Sequence, residues 1–249
     1  MKRFRVLTRA MLLMHIRNRT TLFWNLAFPI FLLIIYRVVF GQGEVGDTDY
    51  MTWVVPGVVV FNILAFGLLG SGTLMVEMRE KGVLRRLQAS PVPAAQLVGS
   101  YVLVNIAIGL LQSALILGFA VLVFGMELSG TGTLKALPMI VAGIVTFVAL
   151  GQVISGMAPT TGAAVAVGQI LNFSQMFITD MIMPIQSMPA WLQDAAPYLP
   201  AYAVVQLVRA PLLDGTFAPD VGRNLLVAAG YAVVATLAAA RLFRWAPKR

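Results

Sequence analysis

Six long apolar stretches joined by short connections constrain this sequence more than any other feature. A helix of roughly 20 apolar residues crosses the hydrocarbon core of a bilayer. The stretches cover residues 21–40, 54–76, 97–124, 134–157, 163–182 and 224–242. Only 11% of the 249 residues are charged, whereas about a quarter are charged in a soluble domain. The sequence therefore predicts an all-α polytopic membrane protein with six transmembrane helices, in a single transmembrane domain over residues 1–249.

Two further segments depart from this pattern. Residues 1–20 carry six Lys or Arg and no acid, with Phe4, Leu7, Met11 and Met14 at helical spacing. This pattern predicts an amphipathic helix at the membrane surface. Residues 183–223 contain six prolines and only short apolar runs, too short to span. They predict a re-entrant or extracytoplasmic region, with half-helices before the last span.

The positions of the basic residues predict the orientation. Residues 1–20, the loop after the second span and the C-terminal tail hold 14 of the 18 Lys and Arg. Because cytoplasmic loops carry the excess of Lys and Arg, both termini are predicted in the cytoplasm. The net charge of +8 thus reflects topology and contact with the lipid bilayer, and no nucleic-acid partner is expected.

The loop over residues 77–93 is the most charged internal segment. Val83, Leu84 and Leu87 can form one apolar face of a short helix, and Pro91 and Pro93 would end it. One interpretation is a loop that only fixes orientation. The other is a cytoplasmic helix that binds a partner protein.

The loop contains an acidic residue, a basic-Gly step (Lys81 and Gly82), a basic-basic-Leu step (Arg85, Arg86 and Leu87) and a Ser-Pro before the third span (Ser90 and Pro91). This order of residues resembles the first cytoplasmic loop of ABC-2-type transporter permeases. Residues 1–20 are similar to the connecting helix of that family, and residues 181–210 resemble the re-entrant region before its last span. The three regions follow the family's order along nearly the whole chain. The connection at residues 158–162 departs from it, because it is short and uncharged.

The resemblance implies the membrane half of an exporter: a dimer of permease chains, expected to be a homodimer, with two ABC ATPase subunits. The residues that would contact the ATPase share the charged loop: Glu77, Arg79, Glu80, Lys81, Gly82, Leu84, Arg85, Arg86, Leu87 and Pro91. None of the four lysines follows a glycine, so the chain contains no G-x-x-x-x-G-K-[ST] phosphate loop. We expect no cofactor in this chain, with ATP and Mg bound by the partner ATPase, and neither a metal site nor a catalytic residue.

Polar residues within the spans are candidates for a substrate pathway. The candidates are Asn62, Phe66, Gln169, Asn172, Gln175 and Asp180. Asn and Gln also bond across helices for packing alone, and that interpretation stays open for each. Gly67, Gly70, Gly72 and Gly151 are interpreted as points of close helix contact.

The predicted function is ATP-driven export of an amphipathic small molecule of the drug or antibiotic kind. Export of polysaccharide or lipid-linked glycan is the nearest alternative. A secondary transporter or channel without an ATPase, and an anchor or assembly factor, are alternatives of other classes.

Overall fold

The computed structural model describes residues 2–17, 19–41, 43–46, 48–88 and 94–242. The helices, in chain order, are α1 (Lys2–Arg17), α2 (Arg19–Phe40), α3 (Tyr50–Ala65), α4 (Gly72–Glu80), α5 (Val83–Gln88), α6 (Ala94–Phe124), α7 (Gly130–Met157), α8 (Thr161–Ile178), α9 (Ala190–Ala195), α10 (Pro200–Asp214) and α11 (Val221–Leu242). A π-helical segment, Phe66–Ser71, joins α3 to α4. Two short 3₁₀ turns, Ile185–Ser187 and Ala196–Tyr198, flank α9.

Strands β1 (Glu44–Val45) and β2 (Thr48–Asp49) form one antiparallel hairpin, in which Glu44 pairs with Asp49 and Val45 with Thr48. The predicted all-α polytopic fold is confirmed. Within the described residues, five helical spans are long and apolar enough to cross a membrane: Phe23–Phe40, Tyr50–Glu80, Gly99–Phe124, Gly130–Met157 and Val221–Leu242. The fifth predicted span corresponds to α8, whose 18 residues include three amide side chains. The count of six therefore stays a prediction.

The Tyr50–Glu80 span, formed by α3, the π-helical segment and α4, is the centre of the bundle. In its most apolar window 83% of the residues are buried, against 11% in the windows of α2 and α11. Helices α2 and α11 therefore lie at the periphery, and the central span packs against α7, α6, α8 and α10.

Glycines bring the π-helical segment and α7 into backbone contact. A Cβ added at Gly67 would overlap Phe147, and one at Gly151 would overlap the carbonyl oxygen of Gly67. At Gly72 an added Cβ would lie 2.9 Å from the carbonyl oxygen of Gly151. The predicted close helix contact is thus confirmed at these three positions, and it suits a membrane, where helix association depends on packing.

Side-chain caps fix where several helices begin. Asp49, Ser129 and Thr160 precede α3, α7 and α8, and each accepts a hydrogen bond from a backbone N–H in the first turn. Such caps satisfy N–H groups that have no partner inside the helix. The short connection between α7 and α8 is therefore an ordered corner.

The bundle has two chemically different ends. We call the end with the β hairpin and the start of α7 the hairpin end. The other end, where α5 lies, α7 ends and α8 begins, is the basic end.

Helix α10 is the longest helix of the predicted re-entrant region. It packs against α7, α11 and α3. Val204 meets Gly143 midway along α7, and Pro211 meets Gly132 near the start of α7. Helix α10 thus runs from the interior to the hairpin end without crossing the bundle. Gly215 ends it in the left-handed conformation, φ 68°, and Lys135 Nζ donates to the Gly215 carbonyl at 2.7 Å.

The glycine crossing gives a direct test of packing. Gly151→Ala should lower the apparent Tm in detergent by about 5 °C or more, because the added methyl overlaps backbone that cannot move aside. Gly118→Ala in α6 is the matched control, since an added Cβ there meets nothing within 4 Å. Both changes raise helix propensity equally, so an equal effect on Tm would contradict the crossing.

Candidate functional site

The predicted docking loop divides into two structural pieces. Residues up to Glu80 form the last turn of α4, and a turn at Lys81 and Gly82 separates them from α5. Gly82 has φ +68°, a conformation that glycine adopts without steric cost. Arg85 and Leu87 lie within α5, and nothing further is described of their side chains. Pro91 lies outside the described residues.

Helix α5 presents basic groups to solvent. Leu84, 1% exposed, anchors it to the core. Arg86 is exposed, and its Nη2 donates to the Lys81 carbonyl at 3.3 Å. Lys81 forms an exposed ion pair with Glu77, which contributes little to stability. The exposed charged groups of Arg86, Lys81 and Glu77 can therefore contact a partner protein.

Arg79 points in the opposite direction, into the bundle. Its side chain is buried, at 5% exposed, and it lies beside the end of α7. Nη1 donates to the Ser155 carbonyl at 2.9 Å, and Nη2 donates to the Ala158 carbonyl. The last carbonyls of a helix lack partners within that helix and carry partial negative charge. Arg79 thus supplies both hydrogen bonds and the complementary charge at the end of α7.

Glu80, the next residue, makes the opposite interaction with α8. Its Oε1 accepts from the Thr161 backbone N–H at 3.1 Å, and its Oε2 accepts from the Thr161 hydroxyl at 2.6 Å. A carboxylate at a helix N-terminus is favoured by the helix dipole. We call Arg79 and Glu80, with their partners Ser155, Ala158 and Thr161, the corner clamp. It joins the last turn of α4, just before α5, to the end of α7 and the start of α8.

Helix α1 also lies at the basic end. Phe4 approaches Gly99 near the start of α6, and Met11 is 7% exposed. The apolar face that the sequence predicted thus packs largely against protein. The His15 ring lies 6.0 Å from that of Phe66 in the π-helical segment. Burial lowers the pKa of His15, so the imidazole is neutral at pH 7 and no charge is placed beside Phe66.

The two pathway candidates of the central span are covered by the N-terminal helices. Asn62, 4% exposed, donates from Nδ2 to the Asn25 carbonyl of α2 at 2.7 Å. Phe66, 4% exposed, lies under α1. Asn62 and Phe66 therefore contact neighbouring helices of the same chain, as residues that pack helices together do.

The three amides of α8 occupy different environments. Asn172 is 2% exposed and shares the packed face of α8 with Gly168, which lies against Leu69. Gln175 instead lines a cavity between α8 and α7, whereas Gln169 is absent from that lining. Spacing of three residues rotates each amide by about 60° around the helix axis, so the three cover an arc of about 120° and meet different neighbours.

Asp180 forms part of a buried polar cluster near the hairpin end. Arg209 Nη1 contacts Asp180 Oδ2 at 2.6 Å, with both side chains 7% exposed. Arg209 Nη2 donates to the Asp180 carbonyl at 2.6 Å, and Gln206 Nε2 donates to Oδ2 at 2.7 Å. Asp180 Oδ1 accepts from the Ile185 N–H at 2.8 Å. We call the Asp180–Arg209 pair the buried lock.

The lock holds the chain after α8 against the central span. Arg209 donates from Nε to the Trp53 carbonyl at 3.2 Å, and its guanidinium carbon lies 4.0 Å from the Trp53 ring centroid. Nearby, the Tyr50 hydroxyl donates to the Ile182 carbonyl at 2.8 Å. Arg209 was not among the candidate site residues of the sequence. Its place within a short apolar run between prolines was the available signal.

The structure thus defines a polytopic helical membrane protein with an exposed basic helix tied to its spanning helices. The chain belongs to the ABC-2 type transporter family, whose model matches residues 2–213. It is therefore the membrane subunit of an ABC transporter.

Several curated proteins are similar to it. YvfS of Bacillus subtilis (strain 168), which carries the name of a transport permease, is 24% identical over 194 residues, covering 75% of this chain and 76% of YvfS. The ycf38 protein of Cyanophora paradoxa is 26% identical over 203 residues, covering 78% of this chain and 68% of ycf38. The linearmycin resistance permease protein LnrN of Bacillus subtilis (strain 168) is 26% identical over 133 residues, covering 53% of this chain and 34% of LnrN.

The buried lock predicts a strong asymmetry between single and double variants. Arg209→Met should lower the apparent Tm in detergent by about 10 °C, because it leaves the Asp180 carboxylate buried without its cation. Adding Asp180→Asn removes that charge and should restore part of the loss. Asn tolerates the left-handed conformation that Asp180 adopts, φ 59°.

Arg223→Met is the control for the lock, because the ion pair of Arg223 with Asp220 is exposed and should matter little. A double variant less stable than Arg209→Met alone would contradict the assignment.

Proposed function

We propose that this chain exports amphipathic small molecules across a cell inner membrane, driven by two separate ATPase subunits that bind α5 and α1 at its basic end. The observation that carries the proposal is the connection of α5, through the corner clamp, to α7 and α8. It offers a mechanical path from a cytoplasmic surface to spanning helices.

The distribution of basic residues supports a cytoplasmic basic end. Arg5 and Arg9 of α1, Arg86 of α5 and Arg241 of α11 are exposed on elements that lie or terminate at this end. At the hairpin end Arg37, Lys135 and Arg223 are exposed, and Arg209 is buried. Under the positive-inside rule the larger number of exposed basic residues at the basic end supports a cytoplasmic location for both termini.

The corner clamp would convert movement of α5 into movement of the bundle. Gly82 gives the turn before α5 a compact shape, and the next residues inward, Glu80 and Arg79, are fixed to α8 and α7. Closure of two ATPase subunits would press on α5 and shift these helices as packed units, in the manner of rigid-body transitions. A second copy of the chain, in a homodimer, would complete the pathway.

The apolar character of the spans supports an amphipathic cargo. The wall of the cavity beside α8 consists mainly of aliphatic side chains, which suits an apolar ligand body. The name of LnrN connects that relative to resistance against linearmycin, which is consistent with export of this class of compound.

Reversing the charge of α5 tests the docking surface. Arg86→Glu should reduce copurification of the ATPase in mild detergent by about tenfold or more, and ATP-driven uptake into inverted vesicles by as much. The reason is that the new carboxylate would meet like charge on an ATPase surface that binds the arginine. Arg241→Glu introduces the same charge change at the same end, outside α5, and should leave both readouts intact. Unimpaired uptake by Arg86→Glu would overturn the docking role.

The corner clamp predicts uncoupling without dissociation. Glu80→Gln weakens the charged cap on α8 while leaving α5 in place, so the ATPase should still copurify and hydrolyse ATP, whereas uptake per ATP hydrolysed should fall severalfold. Glu127→Gln, at the hairpin end, controls for loss of one exposed carboxylate. An unchanged ratio of uptake to hydrolysis in Glu80→Gln would contradict transmission through the clamp.

A further inference from the structure

A cavity of about 600 Å³ lies between α7, α8 and the start of α10. It is lined by Leu64 and Leu68 of the central span, Ile154 of α7, Val167 of α8 and Pro200 of α10. Its volume falls within the range of about 300–1,000 Å³ that ligand sites have. We refer to this cavity as the lateral cleft.

The lateral cleft opens towards the side of the bundle. Helix α8 packs on α4, the π-helical segment and α3, whereas α11 packs on α7 and α10. Between these two groups, Met157, Leu171 and Tyr231 contribute to the lining although they are 70%, 42% and 37% exposed. The opening therefore lies at the side of the bundle, where an apolar group could enter from a surrounding hydrocarbon layer without crossing water.

One polar group interrupts the apolar wall. Gln175 lines the cleft, and its Oε1 is buried without a hydrogen-bond partner among the described residues. A buried acceptor without a donor is costly, and an apolar cavity does not hold water that could supply one. A ligand with a hydroxyl or amine would satisfy Oε1 once the Gln175 side chain rotates to expose it to the cleft.

The geometry sets the shape of the ligand. From Ala163 to Gln175 the cleft follows α8 for about 18 Å, at the rise of an α-helix. Among the described residues that line it, Gln175 and Tyr231 carry the polar side-chain groups and the other side chains are apolar. Such a wall would leave most hydroxyls of a sugar ring unpaired, which is unfavourable.

We infer that the lateral cleft binds the alkyl portion of an amphiphile, with a hydrogen-bond donor of its polar end bound to Gln175 Oε1. The inference rests on the proposed export function only for the identity of this amphiphile as cargo. Binding itself requires neither ATP nor the ATPase, so it can be measured separately.

The test uses a long-chain primary alcohol with a photoreactive diazirine in mid-chain, added to inverted vesicles that contain the full chain and no ATP. Labelled peptides are quantified by mass spectrometry. We expect labelling of the α7 and α8 segments that line the cleft. Val167→Trp fills the cleft and should reduce this labelling at least fivefold, whereas Ile170→Trp, 66% exposed on α8 and outside the lining, should not.

Labelling of α2, whose Val38 is 80% exposed, reports correct insertion of each variant. If Val167→Trp fails to insert, Ala163→Leu narrows the same cleft with a smaller side chain. Labelling that neither variant reduces, while α2 labels normally, would overturn the inference.

The role of Gln175 is tested with two probes. Gln175→Leu should weaken labelling by the alcohol about fivefold, the value of one hydrogen bond, and should leave labelling by the matching methyl ether unchanged. Equal effects on both probes would refute the assigned hydrogen bond.

The source of the amphiphile is tested with a diacyl phospholipid that carries the same photoreactive chain. Cargo binding predicts that the single-chain alcohol labels the cleft in preference to the phospholipid, and that Val167→Trp lowers ATP-driven uptake of the alcohol when Ile170→Trp does not. Preferential labelling by the phospholipid, with unchanged uptake, would assign the cleft to membrane lipid and reject the cargo role. Absence of uptake in every variant, with the labelling pattern intact, would refute export alone.

Discussion

The backbone contact between the central span and α7 is the interaction on which the rest of the structure depends. In hydrocarbon there is no hydrophobic gain from bringing two apolar helices together, so close approach and hydrogen bonds must supply the attraction. Gly67 and Gly151 allow that approach, and Ser71 Oγ donates to the Val148 carbonyl at 3.3 Å beside it. The π-helical segment lies at this crossing. Because the same span carries the corner clamp at one end and contacts the buried lock at the other, both depend on its position.

Each of the two charged clusters buries an arginine, and the surroundings of the two arginines differ. Arg79 is buried among the carbonyls at the end of α7, so a helix terminus supplies its partial negative charge. Arg209 is buried with a full counterion and the face of an indole ring. The first arrangement ties an arginine to backbone that can move as a unit with its helix. The second joins Asp180, which follows α8, to Arg209 of α10. Because Arg209 also bonds to Trp53, the chain after α8 is held against the central span.

The all-α polytopic fold and the close glycine contacts could be predicted from the sequence, because each depends on a local pattern of apolar or small residues. The sequence could not predict the direction in which neighbouring charges point. Arg79 and Glu80 lie in the same charged run as Arg86, yet Arg79 points into the bundle and Glu80 caps the start of α8. Asp180 and Arg209 are 29 residues apart, and only the return of α10 brings them together. Similarly, the sequence offered three amides of α8 as equal candidates, and only the packed structure distinguishes Gln175, which lines the cleft.

The positions of the clamp and the lateral cleft relate the proposed driving force to the proposed cargo. Both are built on α7 and α8: the clamp holds the end of one and the start of the other, and the cleft opens between them. A displacement of Thr161 by Glu80 would move α8 relative to α7, and the distance between Val167 and Ile154 would change with it. Since the lock restrains the chain just beyond α8, the helix would pivot near that end. The width of the cleft, and hence its affinity for an alkyl chain, would then depend on the state of the ATPase, as coupled transport requires.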